Sequence, residues 1–556
     1  MDQAPSGEAV SLSLVSHTNA GKTTLARTLL GRDIGEIRDA PHVTEFADVY
    51  TMLETPQGDA LQLWDTPGFG DSVRLAKRLR SLASPMGWFL SEVWDRWRDR
   101  SFWASQQALR NVRDEADVML YLVNAAEAPE AAGYVKSEME LLAWVDKPVI
   151  VLLNQLGAPR EAALEAAEIE RWRVHLAPYP QVRAVLPLDA FARCWVQELT
   201  LLRAIEDALG AQDGVDDPHA FARNGNVGAR TSPDSGAEGA AVKRARMARL
   251  RAAWQGQRLQ TFEAAMASLA RHLARSASLF EVVPDDGFGT ALRARLRNAG
   301  AALGVGRTTE TSATAQAQQS LAQRLDAEVR ANTQELIALH GLSGSAHGEI
   351  LARLASQFDL RLRWDERKAA LWGGVLSGAL VGLKADLASG GLTLGGGMIA
   401  GGVLGALGAA GLARCVNLVR GTDRSWLTWN AEALDRMVEA ALLRYLAVAH
   451  FGRGRGDWAE GEAPPHWQGV VEQVLAPQHE ALTLLWEGRD PRHDGSDECE
   501  RLAAAIEPRV RDAASKALCT LYPGSQAALE APEAQAASPV DGAVGENAQA
   551  TPAPAR

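Results

Sequence analysis

The sequence predicts an α/β domain followed by a mostly α-helical domain, and three observations lead there. The apolar run Val10–Val15 breaks into a loop of small residues and then into the helix-like stretch Thr24–Leu30, the strand–loop–helix step of an α/β fold. Residues 210–241 are rich in Gly, Asp and Ser with little apolar content, which reads as a linker or disordered loop. Beyond Val242 come long Ala/Arg/Leu/Gln stretches with helical spacing, interrupted by two apolar runs in which glycine recurs every fourth residue.

The first loop carries chemistry. Ser16-His17-Thr18-Asn19-Ala20-Gly21-Lys22-Thr23 has the pattern of a P-loop, a phosphate cradle. Backbone N–H groups from Asn19, Ala20, Gly21, Lys22, Thr23 and Thr24, with the helix N-terminus, point at anionic oxygens. Lys22 adds a cation for the β- and γ-phosphates, and the Thr23 hydroxyl can hold Mg²⁺. Ser16 stands where the pattern asks for a glycine that eases the turn. A second strand, Ala60–Trp64, alternates Leu61 and Leu63 and ends in Asp65-Thr66-Pro67-Gly68. In P-loop nucleotidases an Asp at the tip of such a strand binds Mg²⁺ through water and the Gly N–H meets the γ-phosphate, roles that would fall here to Asp65 and Gly68. Taken alone this tetrapeptide is equally a plain turn. Both motifs in this order, roughly forty residues apart, are poorly explained as two independent turns.

On these motifs, residues 8–210 resemble the translation-factor-like small GTPases of the TrmE–Era type. Ser16–Thr23 match the family's first motif and Asp65–Gly68 its third. The resemblance implies a P-loop GTPase that takes GTP as ligand and Mg²⁺ as cofactor. It places Thr44, in Pro41-His42-Val43-Thr44, as the residue that closes over Mg²⁺ and the γ-phosphate; read by itself, Thr44 is an ordinary loop threonine. Asn19 matches an asparagine that helps seat K⁺ in many relatives, and is otherwise a turn residue that tolerates left-handed backbone.

The base-reading motif departs from the family. After the strand-like Pro148–Leu153, relatives carry Asn-Lys-x-Asp, whereas this chain has Asn154-Gln155-Leu156-Gly157. Asn154 is retained, Gln155 replaces the Lys along the base, and Gly157 replaces the carboxylate that pairs with guanine. A bidentate base contact supplies about 1–3 kcal/mol of discrimination, so guanine preference is either weaker here or supplied by another group. In Leu188-Asp189-Ala190, after Val182–Leu186, Ala190 is positioned to offer a backbone N–H to the base. Phe69 occupies the position where many small GTPases place a water-orienting Gln. Slow turnover accelerated by a cation, a partner or a dimer is expected, with Lys22, Thr44 and Gly68 as the catalytic set.

At 556 residues, two or three domains are expected. A net charge of −12 argues against a general nucleic-acid coat, and no RNA-binding module follows the first domain. Cys194, Cys415, Cys499 and Cys519 form neither a ligand pair nor a disulfide framework and read as reduced cytosolic thiols. Met1–Ala9 has no apolar signal segment. Within 8–210, residues 72–115 form a Trp-rich insertion (Trp88, Trp94, Trp97, Trp103), read either as an amphipathic helix pair or as a partner-docking or membrane-contacting lever coupled to the nucleotide. Asp117–Val123 reads as a core strand and Ala126–Trp144 as helical. A flexible linker covers 211–241, an α-helical domain 242–522 and a disordered tail 523–556. Helices are expected over Lys243–Phe280, Thr311–His340, Glu349–Arg363, Trp426–Val448 and Trp467–Tyr522. The basic run Lys243, Arg244, Arg246, Arg249 and Arg251 reads as a solvated helix face.

Within the helical domain, Ala369–Leu383 and Gly391–Ala413 carry Gly374, Gly378, Gly382 and Gly397, Gly401, Gly405, a glycine-zipper hairpin over 369–413. The second run, of 23 residues, is long enough to span a bilayer; the first, of 15, reaches only about 22 Å of the ~30 Å core. Basic residues flank both outer ends, which suits a hairpin entering the inner membrane from the cytoplasm; the alternative is a glycine-packed hairpin inside a soluble, cytoplasmic domain. Some bacterial Era-like GTPases carry an uncharacterised C-terminal helical domain with such a pair, and the whole chain is similar to that group. The expected function is a nucleotide-controlled switch at the cytoplasmic face of the inner membrane, acting on an unknown effector protein or through a nucleotide-dependent dimer. The alternatives are a soluble scaffold with a degenerate nucleotide-binding domain, or a ribosome or RNA assembly GTPase.

Overall fold

A computed structural model describes residues 9–17, 20–30, 48–80, 100–156, 162–189, 194–210, 233–283, 311–342, 416–420, 425–450, 465–490 and 496–530. The first domain runs β1 (Ala9–Ser16), α1 (Lys22–Leu30), β2 (Asp48–Glu54), β3 (Ala60–Asp65), α2 (Ser72–Leu79), α3 (Arg100–Asp114), β4 (Val118–Asn124), α4 (Tyr134–Ala143), β5 (Val149–Asn154), α5 (Ala162–Leu176), β6 (Val182–Pro187) and α6 (Trp195–Gly210). The sheet order is β2-β3-β1-β4-β5-β6, with β2 antiparallel at one edge and the other strands parallel. β4 and β5 are buried on both faces, which explains their unbroken apolar runs. Leu120 and Leu122 face one core, Met119, Tyr121 and Val123 the other.

The second half contains α7 (Pro233–Ala277), β7 (Phe280–Val283), α8 (Thr311–Leu339), β8 (Val416–Arg420), β9 (Ser425–Trp429), α9 (Ala431–Ala449), α10 (Pro465–Leu475), α11 (His479–Gly488) and α12 (Ser496–Leu521). At 45 residues α7 is about 68 Å long and packs against α6, α8, α9 and α12. The helical block expected over Trp467–Tyr522 is present as three helices, and three other expectations are corrected. Trp426–Trp429 belongs to an antiparallel sheet, order β7-β9-β8, and the helix starts at Ala431, capped by the Asn430 side chain. The linker expected to 241 gives way to helix at Pro233. The tail expected to be disordered from 523 instead docks over its first residues: Gln255 Nε2 donates to the carbonyls of Ala527 (2.9 Å) and Glu530 (2.7 Å), and Leu529 packs on the core. Among the described residues no helix is long and apolar enough to cross a membrane. The glycine-zipper hairpin over 369–413 lies outside the described residues, as do Trp88, Trp94 and Trp97 of the Trp-rich insertion.

The two halves share one hydrophobic core, which runs from Leu12, Leu63 and Ile150 on the sheet through Val196, Leu202 and Ile205 of α6 into α7, α9 and α12. Polar contacts fix its register. Glu198 of α6, almost fully buried, accepts from Trp254 Nε1 (2.9 Å) and pairs with Arg258 (3.0 Å), whose guanidinium burial pulls down to about 10. Trp195 Nε1 donates to the Tyr445 hydroxyl at 3.4 Å.

The basic run of α7 is this docking face and not a solvated one. Lys243 donates to Asp117 (2.5 Å), Arg251 to Glu206 (2.7 Å), and Arg244 lies over Gly210, where an added Cβ would meet its Cδ at 2.9 Å. Asp59, in the turn joining β2 to β3, accepts from Arg246 Nε (3.2 Å) and from Arg249 Nε and Nη2 (2.7 and 2.9 Å). Arg246 and Asp59 are 5% and 8% exposed and Arg249 48%. Removing one partner of a buried pair strands the other, which costs about 3–5 kcal/mol. Asp59→Ala should therefore destabilise the chain by about 3 kcal/mol, read as a drop in the denaturant midpoint; a loss below about 1 kcal/mol would reduce the clamp to a surface pair. Hydrogen bonding to Arg249 holds the Asp59 carboxyl below its ordinary value. Its stabilisation is accordingly complete above about pH 4 and lost as pH falls through the lowered folded value.

Candidate nucleotide-binding site

The site lies at the carboxyl ends of the parallel strands, where open α/β sheets bind ligands. Buried β1 ends at Ser16 and helix α1 begins at Lys22. Lys22 Nζ donates to Ser16 Oγ at 3.0 Å, so the serine in place of glycine gives the lysine a resting partner. Burial lowers the Lys22 pKa, and the charges of Asp65 and Glu138 oppose that shift. Thr23 Oγ1 donates to Asp65 Oδ2 at 2.6 Å. Asp65 is 3% exposed, and its Oδ1 meets no hydrogen-bond partner among the described residues. Burial raises its pKa, against the Thr23 bond and the Lys22 charge. A buried carboxylate oxygen without a partner, next to a threonine hydroxyl, is a hard-oxygen donor pair that fits Mg²⁺.

The motif after β3 is anchored to β1. Thr66 Oγ1 donates to the Leu14 carbonyl, Phe69 N donates to Ser16 O at 2.9 Å, and Gly68 is buried between them. The Phe69 ring lies fully buried with Leu75 and Ala76, so it holds the loop against the second core and offers nothing to a water. Gly21 has φ +87°, and a Cβ there would stand 2.7 Å from Asn154 Nδ2. That approach is used: Asn154 Nδ2 donates to Ala20 O at 2.9 Å and ties the end of β5 to the cradle. Gln155 has φ +60°, an uncommon conformation for a residue with a side chain, and Leu156 N next to it donates to Asp189 Oδ2 at 2.8 Å. Thr24 is buried in the first turn of α1.

The structure thus brings together Ala20, Gly21, Lys22, Thr23, Asp65, Gly68, Asn154 and Gln155. Asn19, Thr44, Ala190 and Gly157 lie outside the described residues. Sequence reasoning missed a group beneath the loop. Glu138 of α4, fully buried, accepts from the Tyr121 hydroxyl (2.6 Å) and pairs with His17 Nδ1 (2.8 Å), and the His17 ring stacks on Tyr134. Burial, reinforced by Glu138, pushes the Tyr121 pKa well up. The available signal was Glu138 on the Val135–Met139–Leu142 face, an acid on an apolar stripe.

Residues 11–155 match the family described as 50S ribosome-binding GTPase, and residues 240–518, half of the chain, match the domain of unknown function DUF3482. The chain belongs to the DUF3482 family. GTPase Era of Geotalea uraniireducens (strain Rf4) is 28% identical over 188 residues, 34% of this chain and 52% of its own length. GTPase Era of Geobacter sp. (strain M21) is 27% identical over 192 residues, 34% and 53% of the two chains. A solved structure of Aquifex aeolicus Era bound to GDP·AlF4⁻ covers 33% of this chain and 51% of that one at 19% identity, with a TM-score of 0.25. The chain spans about half the length of the curated relatives it matches. In this DUF3482 protein the N-terminal part is a small P-loop GTPase domain of Era type. Gly21→Ala, strained at φ +87° and colliding with the Asn154 amide, should weaken nucleotide binding at least tenfold in calorimetry with Mg²⁺ while the thermal midpoint changes far less.

Proposed function

We propose that the protein is a GTP-controlled switch with slow intrinsic hydrolysis, and that its helical half is the output. The observation that carries this is the pairing of Lys22 with the Thr23–Asp65 contact at the end of β1 and β3. On nucleotide binding Lys22 exchanges Ser16 Oγ for phosphate oxygens, a negatively charged partner that offsets its burial. Thr23 and Asp65 would hold Mg²⁺, which neutralises phosphate charge when bound. Asn154 and Gly21 fix the loop on which the phosphates rest. With Phe69 buried, no side chain at that position orients water, and a potassium ion, a partner or a dimer supplies the acceleration.

Strand β3 connects this chemistry to the helical half. It starts beside Asp59, held by Arg246 and Arg249, and ends at Asp65, about 20 Å along an extended strand. Purified full-length protein should turn GTP over slowly and faster in potassium than in sodium, whereas Lys22→Ala should abolish binding with the fold retained. Binding of GTP by Lys22→Ala at wild-type affinity would remove the cradle; equal rates in both salts would remove the cation.

Membrane attachment is the finer part of the proposal and rests on the flanked glycine runs of 369–413. Protein that pellets with inner membranes, resists high salt and leaves with detergent supports it, because apolar burial is not screened as charge attraction is. Full-length protein that stays soluble without detergent at high concentration refutes it.

A further inference from the structure

We propose that the carboxyl half of α8 is a releasable layer of the helical half, which lifts from α7 and α9 when two histidines beneath it take up protons. Nucleotide binding plays no part in this. Near its start α8 is pinned to β7: Ser320 Oγ donates to Glu281 Oε1 (2.9 Å), and Arg324 Nη1 to the Phe280 carbonyl (2.9 Å). From Glu328 onward it lies over a line of buried polar side chains. Ser268, His272 and Ser276 recur every four residues on one face of α7, each at most 1% exposed. Asn332 of α8 spans the seam: its Nδ2 donates to Ser268 Oγ (2.9 Å), and its Oδ1 accepts from Arg444 Nη2 of α9 (2.9 Å).

This seam is poorly compensated. Arg444, 3% exposed, pairs with no carboxylate among the described residues, and burial pulls its guanidinium down to about 10. Arg444 Nε, His272 Nδ1 and Ser276 Oγ meet no hydrogen-bond partner among the described residues, so each gives up hydration without return. The ion pairs Arg271–Glu335 (2.9 Å) and Arg275–Glu328 (2.8 Å) join α7 to α8 only at the wet rim, where such pairs hold weakly. By contrast α12, which also packs on α7, buries Leu502, Ile506, Val510 and Leu518. Opening is coupled to protons. Burial, then Arg444 of α9 and Arg275 of its own helix, hold His272 well below the ordinary histidine value, against a hydrogen bond to the Glu328 backbone. The Glu328 carboxylate is taken by Arg275, and Cys499 of α12 feels both members of that pair. His340, just past α8, is pushed down to about 4 by burial and by Arg258 of α7, against its own bond to Leu336 O, and its ring stands 6.0 Å from that of Tyr445 on α9. Both histidines are neutral while α8 is docked and return to about 6.5 once it lifts. Their hold on the docked form is therefore complete above about pH 6.5 and lost as pH falls toward the lowered values.

Hydrogen–deuterium exchange of the full-length protein at pH 7.5 and 5.5, corrected for the intrinsic exchange rate, tests this. Between these pH values each histidine should shift the opening equilibrium about tenfold, and the two together about a hundredfold. Peptides covering residues 328–339 should show that rise, while peptides from α12 change less than about tenfold. His272→Gln and His340→Gln should each remove about a tenfold share of it, and the double variant nearly all. Wild type in which 328–339 opens no more at pH 5.5 than at 7.5 overturns the proposal without need of a variant. So does wild type in which 328–339 and α12 open together, since that is global unfolding, and so does a folded double variant that keeps the full rise.

Discussion

The architecture depends on α6 being buried from two sides. A helix that closes an α/β sheet ordinarily shows one apolar stripe and leaves the other face to water. In Trp195–Gly210 the sheet takes one side and α7 the other, with Trp195, Val196, Leu199, Leu201, Leu202, Ile205 and Leu209 all buried. Only a narrow strip of Thr200, Arg203 and Asp207 stays exposed, so the apolar side of α6 that the sheet leaves uncovered needs α7, which is a required layer of the first domain. The ion pairs around it add register to this apolar contact. Arg246 and Arg249 on Asp59, Lys243 on Asp117 and Arg251 on Glu206 fall on successive turns of α7 and fix how far it slides along the sheet.

At the other end of the strands the site stores unmet electrostatics. Lys22 and Asp65 are both buried, and burial moves each pKa toward the neutral form. The Asp65 oxygen without a partner among the described residues and the lysine resting on a serine hydroxyl are what a polyanion with its metal would relieve. Ligand binding therefore also serves to stabilise this end of the sheet, by the general linkage between binding and folding.

What could be read from the residues followed the locality of the chemistry. Lys22, Thr23 and Asp65 were legible because a strand, a tight loop and a helix start write their requirements into adjacent positions. Asn154 was legible as a motif residue, but its bond to Ala20, 134 positions away, was not. Glu138 acquires meaning only from His17, 121 positions distant, and Asp189 only from Leu156, 33 positions distant. In the fold, β2 leaves little trace in the sequence because an edge strand needs little hydrophobic content, and Val49 in it is 42% exposed. Trp426–Trp429 was absorbed into the following helix although its aromatic and β-branched residues suit a strand, because no local pattern reveals β7 and β8 beside it. The basic run looked solvated because the acids that neutralise it lie in the other half of the sequence.

A shared core also has a history in time. During synthesis the α/β domain is complete once Gly210 has emerged, yet the outer side of α6 then has nothing to rest on. α7 covers it next, and α7 is itself covered by α12, which ends at Leu521, more than two hundred residues later. At about 5–20 residues per second that interval lasts roughly ten to fifty seconds. Until α12 arrives a nascent chain carries a long helix that α8 and α9 cover only in part, the condition in which growing chains aggregate or recruit chaperones.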